Sequence, residues 1–164
     1  MSTLTVTKHH GLGNDFLVVF HPAVDDLPEL ARRLCARRRG IGADGLLVAE
    51  TEPDYAARMV LYNADGSRAE MSGNGIRCFA QALAARRGDL RPQRILTDAG
   101  DRLVTLEATD DQATILAAVD MGPVELLPEP SGWASWGCHP DRPVTHLSLG
   151  NPHAVVGVDD VAAV

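Results

Sequence analysis

Residues 63–80 read Asn-Ala-Asp-Gly-Ser-Arg-Ala-Glu-Met-Ser-Gly-Asn-Gly-Ile-Arg-Cys-Phe-Ala, two polar turns that run into a helix. Ile76, Phe79 and Leu83 recur at helical spacing, and Gly88 predicts where this helix ends. Ser72 is the predicted N-cap, because a serine hydroxyl can accept a hydrogen bond from an amide of the first turn. The body of the helix, from about Gly75 to Arg87, is largely apolar, so we expect it to be buried inside the fold.

The N-terminus of this helix is a candidate site for a small anion. The amides of Gly73, Asn74 and Gly75 have no carbonyl of an earlier helical turn to bind, and the helix dipole favours negative charge at this end. A carboxylate or a phosphate could therefore bind without a charged side chain. A simple capped helix after a turn explains the same residues equally well, and both interpretations stay open.

Three further segments carry glycine and asparagine in short motifs. Residues 10–16 read His-Gly-Leu-Gly-Asn-Asp-Phe, residues 40–47 form a glycine-rich loop, and residues 150–153 read Gly-Asn-Pro-His. In this order and spacing, and together with residues 63–80, they resemble the active-site motifs of the diaminopimelate epimerase family of cofactor-independent amino-acid racemases. Each motif alone is weak evidence for the resemblance, but the four together are specific to this family. The resemblance spans essentially the whole chain, whereas the chain covers only the first part of the family's length.

The resemblance implies a fold and a reaction. The expected fold is α/β (α+β), a curved sheet wrapped around a central helix in each of two pseudo-symmetric domains, with substrate held between them. Residues 1–110 would form the first domain and residues 111–164 the beginning of the second, incomplete one. The implied reaction interconverts LL- and meso-diaminopimelate by two-base proton transfer at the α-carbon, in lysine and cell-wall precursor synthesis. The family also implies no cofactor and a homodimer.

Ser72 departs from the family's pattern. Its position is normally a cysteine, one of two thiols on opposite sides of the substrate's α-carbon, and the second thiol would lie beyond residue 164. A thiol has an unperturbed pKa of about 8.5 that a helix N-terminus can lower, whereas a serine hydroxyl needs a neighbouring base. Cys78 is no substitute, because six residues of helix amount to about 9 Å of rise and about 240° of rotation.

Three explanations of Ser72 remain open. It is a replacement that keeps the fold and loses most proton transfer, or a working hydroxyl, or the mark of a changed reaction. The last would resemble related proline racemase-like enzymes, in which Ser or Thr in place of one thiol allows dehydration of a hydroxylated amino acid. A catalytically dead amino-acid-binding homologue is the corresponding non-enzymatic alternative.

Amide side chains occur in all the matched motifs except the glycine-rich loop. An amide offers both donors and acceptors, so it can hold an ammonium and a carboxylate group. Asparagine also favours turns beside glycine, which explains any one of these residues as well. By resemblance, Ser72 takes the catalytic position, and the substrate-binding residues are Asn14, Asn63, Gly73, Asn74 and Asn151, with His153 in support. Gly73 and Asn74 would contribute backbone amides to the α-carboxylate.

Composition excludes several classes of protein. The chain is 45% hydrophobic and 23% charged with a net charge of −7, and no apolar run reaches membrane length, so we expect a soluble cytoplasmic chain. The acidic balance argues against a nucleic-acid partner. Cys35, Cys78 and Cys138 form no close pairs, which predicts a reducing compartment and neither disulfides nor a zinc site. His139, His146 and His153 are interrupted by proline and glycine, so a metal site is not expected.

Residues 40–45 satisfy the G-x-G-x-x-G pattern of dinucleotide-binding loops. Such a loop must follow a strand and open a helix. Here Arg37–Arg39 precede it and the strand-like residues 46–48 follow, so a turn between a helix and a strand is the better prediction. The clustered arginines before it are expected to form a solvated helix face.

The remaining sequence alternates predicted strands and helices. A helix is predicted over Leu27–Arg39, and residues 122–143, rich in Pro, Gly and Trp, predict a long excursion. Strands are predicted at Leu4–Thr7, Phe16–Phe20, Leu46–Glu50, Arg58–Tyr62, Arg94–Thr97, Asp101–Ala108, Thr114–Asp120, Val144–Leu149 and Ala154–Val158.

Overall fold

The computed structural model describes residues 3–137 and 142–163. The chain divides into two compact units, Met1–Asp120 and Met121–Val164. The strand Ile115–Val119 belongs to the first unit, because it pairs with Gly100–Ala108 in the same sheet. By its contacts the chain divides after residue 120, and the domain bounds 1–110 and 111–164 remain a prediction.

Among the described residues of the first unit, eight strands form one mixed sheet in the order β1-β2-β3-β4-β6-β7-β8, with β5 beside β4. Two pairs are parallel, β2 with β3 and β4 with β6, and the remaining pairs are antiparallel. The strands are β1 Val6–Gly11, β2 Asn14–Phe20, β3 Gly45–Glu50, β4 Ala57–Asn63, β5 Arg68–Ala69, β6 Gln93–Thr97, β7 Gly100–Ala108 and β8 Ile115–Val119.

Two helices make the crossovers that parallel strands require. The first, α1, spans Leu27–Cys35 between β2 and β3, and the second, α2, spans Gly73–Arg87 between β5 and β6. Helix α2 packs against both edge strands, β1 and β8, and also against β2, β4 and β7. The sheet therefore curves around α2, and the predicted central helix and α+β fold class are confirmed.

The core of the first unit lies on both faces of strands β2–β4. Residues 16–19 and 45–49 are buried without interruption, the pattern of strands covered on two sides. One face packs against Ala31 and Cys35 of α1. On the other side lies α2, where Ile76 and Phe79 are completely buried. Burial of α2 thus comes from the sheet that surrounds it.

Helix α1 is shorter than predicted. It ends at Cys35, whereas the sequence pattern favours a helix up to Arg39. The amides of Ile41 and Gly42 return to the carbonyl of Leu34 and satisfy the open end of the helix. Gly40 permits this return, because a Cβ there would lie 2.2 Å from the carbonyl oxygen of Arg33.

The other predicted elements differ from the observed ones mainly in where the strands begin and end. The predicted strand Leu4–Thr7 is observed as Val6–Gly11, and the two-residue strand β5 was not predicted. Gly88 ends α2 as predicted, with φ +77 and its amide bonded to the carbonyl of Ala84. Neither α-helix of the described part combines the length and apolarity needed to cross a membrane.

The second unit contains a small antiparallel sheet in the order β11-β10-β9. Its strands are β9 Glu125–Leu126, β10 Val144–Ser148 and β11 Pro152–Val156, and a short 3-10 helix spans Trp133–Trp136. Strand β9 and this helix lie within the predicted excursion. No residue described with a burial state in this unit, over 121–137 and 142–162, is buried. Cys138 and His139, for which predictions were made, lie outside the described residues.

Candidate functional site at the N-terminus of helix α2

Ser72 caps α2 as predicted. Its backbone is extended, with φ −142 and ψ 118, and its Oγ accepts a hydrogen bond of 3.0 Å from the amide of Gly75. The carbonyl of Ser72 accepts the first intrahelical bond, from Ile76 at 2.9 Å. The helix begins at Gly73, two residues before the predicted start, so the whole Gly-Asn-Gly segment forms its first turn.

The first turn of α2 presents amides beside the hydroxyl of Ser72. Ser72, Gly73 and Asn74 are half-buried, while the helix body behind them is buried. The first amides of a helix have no intrahelical partner and carry the positive end of its dipole. This arrangement can stabilise a carboxylate next to the oxygen of Ser72.

Asn14 lies next to this first turn and is hydrogen-bonded to it. Its Oδ1 accepts a hydrogen bond of 3.3 Å from Nδ2 of Asn74, and its own Nδ2 donates to Oδ2 of Asp44 at 2.6 Å. Arg77, one helical turn later, donates to Oδ1 of Asn74. The structure therefore joins two predicted site residues, Asn14 and Asn74, in one hydrogen-bonded chain.

A charged cluster that was not predicted lies next to Asn14. Arg37 donates two hydrogen bonds to Asp15, of 2.7 and 3.1 Å, and one of 2.6 Å to Asp44. Lys8 pairs with Asp15 at 3.0 Å and donates to the carbonyl of Gly42. The prediction that Arg37 belongs to a solvated helix face was wrong, because α1 ends before it. The available signal was that charged residues flank both Asn14 and the glycine-rich loop.

This cluster perturbs the titration of Asp15. Hydrogen bonds from Arg37 hold the pKa of the Asp15 carboxyl well below its usual range, and Lys8 adds to the effect against the opposing influence of burial. The same ion pairs raise the pKa of Arg37. Both charges are therefore retained at neutral pH, and the cluster holds the loop after α1 against the start of β2.

Asn63 ends β4 and is exposed. Its Nδ2 donates to Oγ of Ser67 at 2.9 Å, and Ser67 in turn binds Asp65 within the same turn. A main-chain bond of 3.0 Å from Ala64 to the carbonyl of Asp44 attaches this turn to the glycine-rich loop. Asn63 thus lies on a turn tied to the loop of Asp44, without a side-chain bond to Asn14.

Asn151 and His153 lie in the second unit, at the turn between β10 and β11. The ring Nε2 of His153 and Oδ1 of Asn151 are 2.9 Å apart, at hydrogen-bond distance. Gly150 precedes them with φ +88, a conformation that glycine adopts readily. The contact agrees with a supporting role for His153 in its own loop, and the substrate roles of both residues remain predictions.

The described cysteines are buried. Cys35 and Cys78 are 2% and 3% exposed, and burial raises the pKa of each thiol to about 11. Both therefore pack as small apolar side chains, as predicted. The G-x-G-x-x-G segment is a turn between α1 and β3, also as predicted. Within residues 3–137 and 142–163, no group of three or more His, Cys, Asp or Glu side chains could hold a metal ion.

Comparisons with known proteins agree with this architecture. A family model described as diaminopimelate epimerase matches residues 6–127. A diaminopimelate epimerase of Synechococcus elongatus is 40% identical over 181 residues, which cover 99% of this chain and 62% of that protein. The chain thus spans about three-fifths of the length of this curated relative.

Two solved structures share the fold at low sequence identity. A predicted epimerase from Pseudomonas aeruginosa has a TM-score of 0.71 at 17% identity, covering 94% of this chain and 57% of that one. A probable proline racemase from Agrobacterium radiobacter K84 has a TM-score of 0.70 at 18% identity, covering 94% and 52%. The family model, which matches most of the chain, shows that the chain belongs to the diaminopimelate epimerase family.

Proposed function

We propose that the natural polypeptide containing this chain is a cofactor-independent epimerase that interconverts LL- and meso-diaminopimelate, and that Ser72 impairs it. Family membership supports the reaction class, since the relative from Synechococcus elongatus is named a diaminopimelate epimerase. The observation that carries the proposal is the site at α2. The oxygen of Ser72 lies at the start of a buried helix, beside first-turn amides to which Asn14 is connected through Asn74.

The proposed reaction removes the α-proton on one face of the substrate and returns a proton on the other. Charge that develops on the α-carboxylate would be stabilised by the amides of Gly73 and Asn74, because they are fixed at the positive end of α2. Asn14, Asn63 and Asn151 would offer amide donors and acceptors to the ammonium and carboxylate groups of the substrate. His153 would hold Asn151 through the contact between their side chains.

Ser72 is the residue that should slow proton transfer in this mechanism. A hydroxyl at this position needs a base to ionise it. In the part of the chain that the structure describes, no titratable side chain hydrogen-bonds to Oγ of Ser72, which instead accepts from the amide of Gly75. A thiol in its place would ionise more readily at the helix N-terminus. We therefore expect slow proton transfer with this residue in place.

Restoring the thiol tests the proposal. In the natural polypeptide, Ser72→Cys should accelerate exchange of the α-proton of diaminopimelate with deuterated water by roughly a hundredfold or more. Ser135→Cys is the matched control, because the hydroxyl of Ser135 donates to the carbonyl of Gly132 and to none of the proposed site residues, and it should leave the rate unchanged. If folded Ser72→Cys protein binds diaminopimelate and still exchanges no proton, the epimerase proposal is wrong.

A binding protein without catalysis would behave differently. Diaminopimelate would stabilise the folded chain in proportion to RT ln(1 + [L]/Kd), while neither the natural sequence nor Ser72→Cys exchanged the α-proton. Thermal unfolding at increasing diaminopimelate concentration, followed beside the exchange assay, separates this outcome from epimerisation.

The hydroxyl of Ser72 specifically favours a second candidate, dehydration of a hydroxylated amino acid. In that reaction the α-proton is removed, the bond from carbon to the substrate hydroxyl breaks, and water leaves with an added proton. The unsaturated amine that remains tautomerises to an imine, which water can hydrolyse to a keto acid with release of ammonia. Mass spectrometry of the products distinguishes the two candidates, because dehydration lowers the mass by one water, or by one ammonia once the imine is hydrolysed, whereas epimerisation conserves mass.

We also expect the natural polypeptide to act in the cytoplasm as a homodimer, in lysine and cell-wall precursor synthesis, without nucleic-acid or membrane partners. These expectations rest on the family and the composition. Sedimentation equilibrium of the natural polypeptide tests the dimer, and a purely monomeric mass at micromolar concentration would contradict it.

A further inference from the structure

A hydrogen-bonded chain of five side chains crosses the candidate site. It runs from Arg37 through Asp44, Asn14 and Asn74 to Arg77. The two asparagines are in the middle, and a charged residue lies at each end. Asn14 and Asn74 belong to the proposed substrate-binding set, whereas the charged residues have been given no function.

The charged ends determine which way each amide faces. A carboxylate only accepts hydrogen bonds, so Asn14 must turn its NH2 group toward Asp44 and its oxygen toward Asn74. A guanidinium only donates, so Asn74 must turn its oxygen toward Arg77 and its NH2 group toward Asn14. The contact with Asp44 and the contact with Arg77 therefore require the same orientation of the two asparagine amides. With Asn14 reversed, its oxygen would face the carboxylate of Asp44, and two hydrogen bonds would be lost.

We propose that Asp44 is a positioning residue that fixes the amide orientation of Asn14 for a zwitterionic amino-acid substrate. This inference rests on the proposed function. In the fixed orientation, Asn14 keeps one N–H and one oxygen lone pair for the substrate, on defined sides. The N–H suits a carboxylate, and the lone pair suits an ammonium group. A reversed amide would exchange these two preferences.

Two aspartates of the protein allow a matched pair of substitutions. Asp44 and Asp101 have side chains of equal exposure, 42%, and each lies 2.6 Å from an arginine, Arg37 and Arg94 respectively. Asp44→Asn removes the charge that orients Asn14, because an amide at position 44 can either donate or accept. Asp101→Asn removes a comparable surface ion pair that does not touch Asn14. A general loss of ion pairing should therefore affect both variants alike.

The first measurement follows the Asn14 side chain by NMR in the natural polypeptide. Its NH2 signals are identified by their disappearance in Asn14→Ala. We expect Asp44→Asn to shift these signals, since their strongest acceptor is gone, and Asp101→Asn to leave them in place. Unchanged Asn14 signals in folded Asp44→Asn protein would overturn the inference, because they would show that Asp44 does not orient the amide.

The second measurement is diaminopimelate affinity by calorimetry. We expect Asp44→Asn to raise Kd roughly tenfold, the scale of one hydrogen bond to a charged group, and Asp101→Asn to change it by less than about twofold. Equal affinity of Asp44→Asn and the natural sequence would overturn the positioning role alone. No binding of diaminopimelate to the natural sequence would instead overturn the proposed function and, with it, the role of Asp44.

Discussion

The side chains of Asn14 and Asn74, sixty residues apart in sequence, are joined by a hydrogen bond of 3.3 Å. Asn14 begins β2, an inner strand of the sheet, and Asn74 lies in the first turn of the central helix. The bond exists because the sheet curves around α2 and brings the start of β2 to the helix N-terminus.

Removing the cap of α2 should destabilise the first unit. Ser72→Ala deletes the oxygen that accepts from Gly75, and we expect a loss of about 1 kcal/mol in the free energy of unfolding. Ser72→Gly should cost only a few tenths of a kcal/mol, because glycine is a tolerated N-cap. Urea unfolding of the three proteins measures the difference. If Ser72→Ala proves as stable as the parent, the capping bond has no role in stability.

The ion pairs of Asp15 should make stability depend on pH. The pKa of the Asp15 carboxyl is lowered in the folded protein. Its contribution to the free energy of unfolding is therefore fully present above the unfolded-state pKa of about 3.9, and it is lost as the pH falls through the folded-state pKa. Between about pH 7 and about pH 3, the parent should therefore lose more stability than Asp15→Asn. Urea unfolding at both pH values measures this difference.

Arg37→Gln provides the companion measurement for Asp15. Its pH dependence should be intermediate, because Lys8 still pairs with Asp15 at 3.0 Å when the guanidinium is gone. Identical pH dependence of Asp15→Asn and the parent would contradict the assignment of this effect to Asp15.

The close approach at Gly40 should make this position intolerant of a side chain. In Gly40→Ala, the new Cβ would meet the carbonyl oxygens of Arg33 and Leu34 at 2.2 and 2.6 Å, so the loop must move. We expect a loss of roughly 2 kcal/mol or more in the free energy of unfolding. Gly11→Ala is the control, because its Cβ would meet its nearest neighbour at an ordinary 3.5 Å. Equal stability of the two variants would show that the loop relaxes freely.

The buried thiols should be unreactive in the native protein. Desolvation raises the pKa of Cys35 and of Cys78 to about 11, and only the thiolate reacts. Alkylation by iodoacetamide at about pH 8, read peptide by peptide, should modify both slowly until denaturant is added. A thiol introduced by Ser72→Cys should react faster than either. Native labelling of Cys35 or Cys78 at the denatured rate would contradict their burial.

Local patterns in the sequence were sufficient for the central helix and for the inner strands. Apolar spacing from Ile76 to Leu83, a serine before it and a glycine after it define α2 almost completely, since caps and periodicity act within one or two turns. The continuous apolar runs of β2 and β3 likewise predict buried strands. The resemblance of the four motifs predicted the family that the comparisons show.

Elements defined by distant contacts could not be predicted in the same way. Helix α1 stops at Cys35 because residues 40–43 fold back onto it, and no local feature distinguishes Arg37 from a helical arginine. The two-residue strands β5 and β9 have too few residues for a pattern and exist through pairing with β4 and β10. Asn63, equal to Asn14 as a motif residue, lacks a side-chain bond to it.

The sequence by itself determined that Ser72 caps a buried helix, that polar glycine-rich motifs recur along the chain, and that a hydroxyl occupies the family's thiol position. Only the tertiary structure decided that Asp44 and Arg77 hold the two asparagine amides, and that Arg37 leaves the helix to bind Asp15. Capping and periodicity depend on neighbours a few residues away, which a sequence displays directly. The direction of an amide depends on charges brought from strands, loops and a helix that meet only when the sheet has curved around α2.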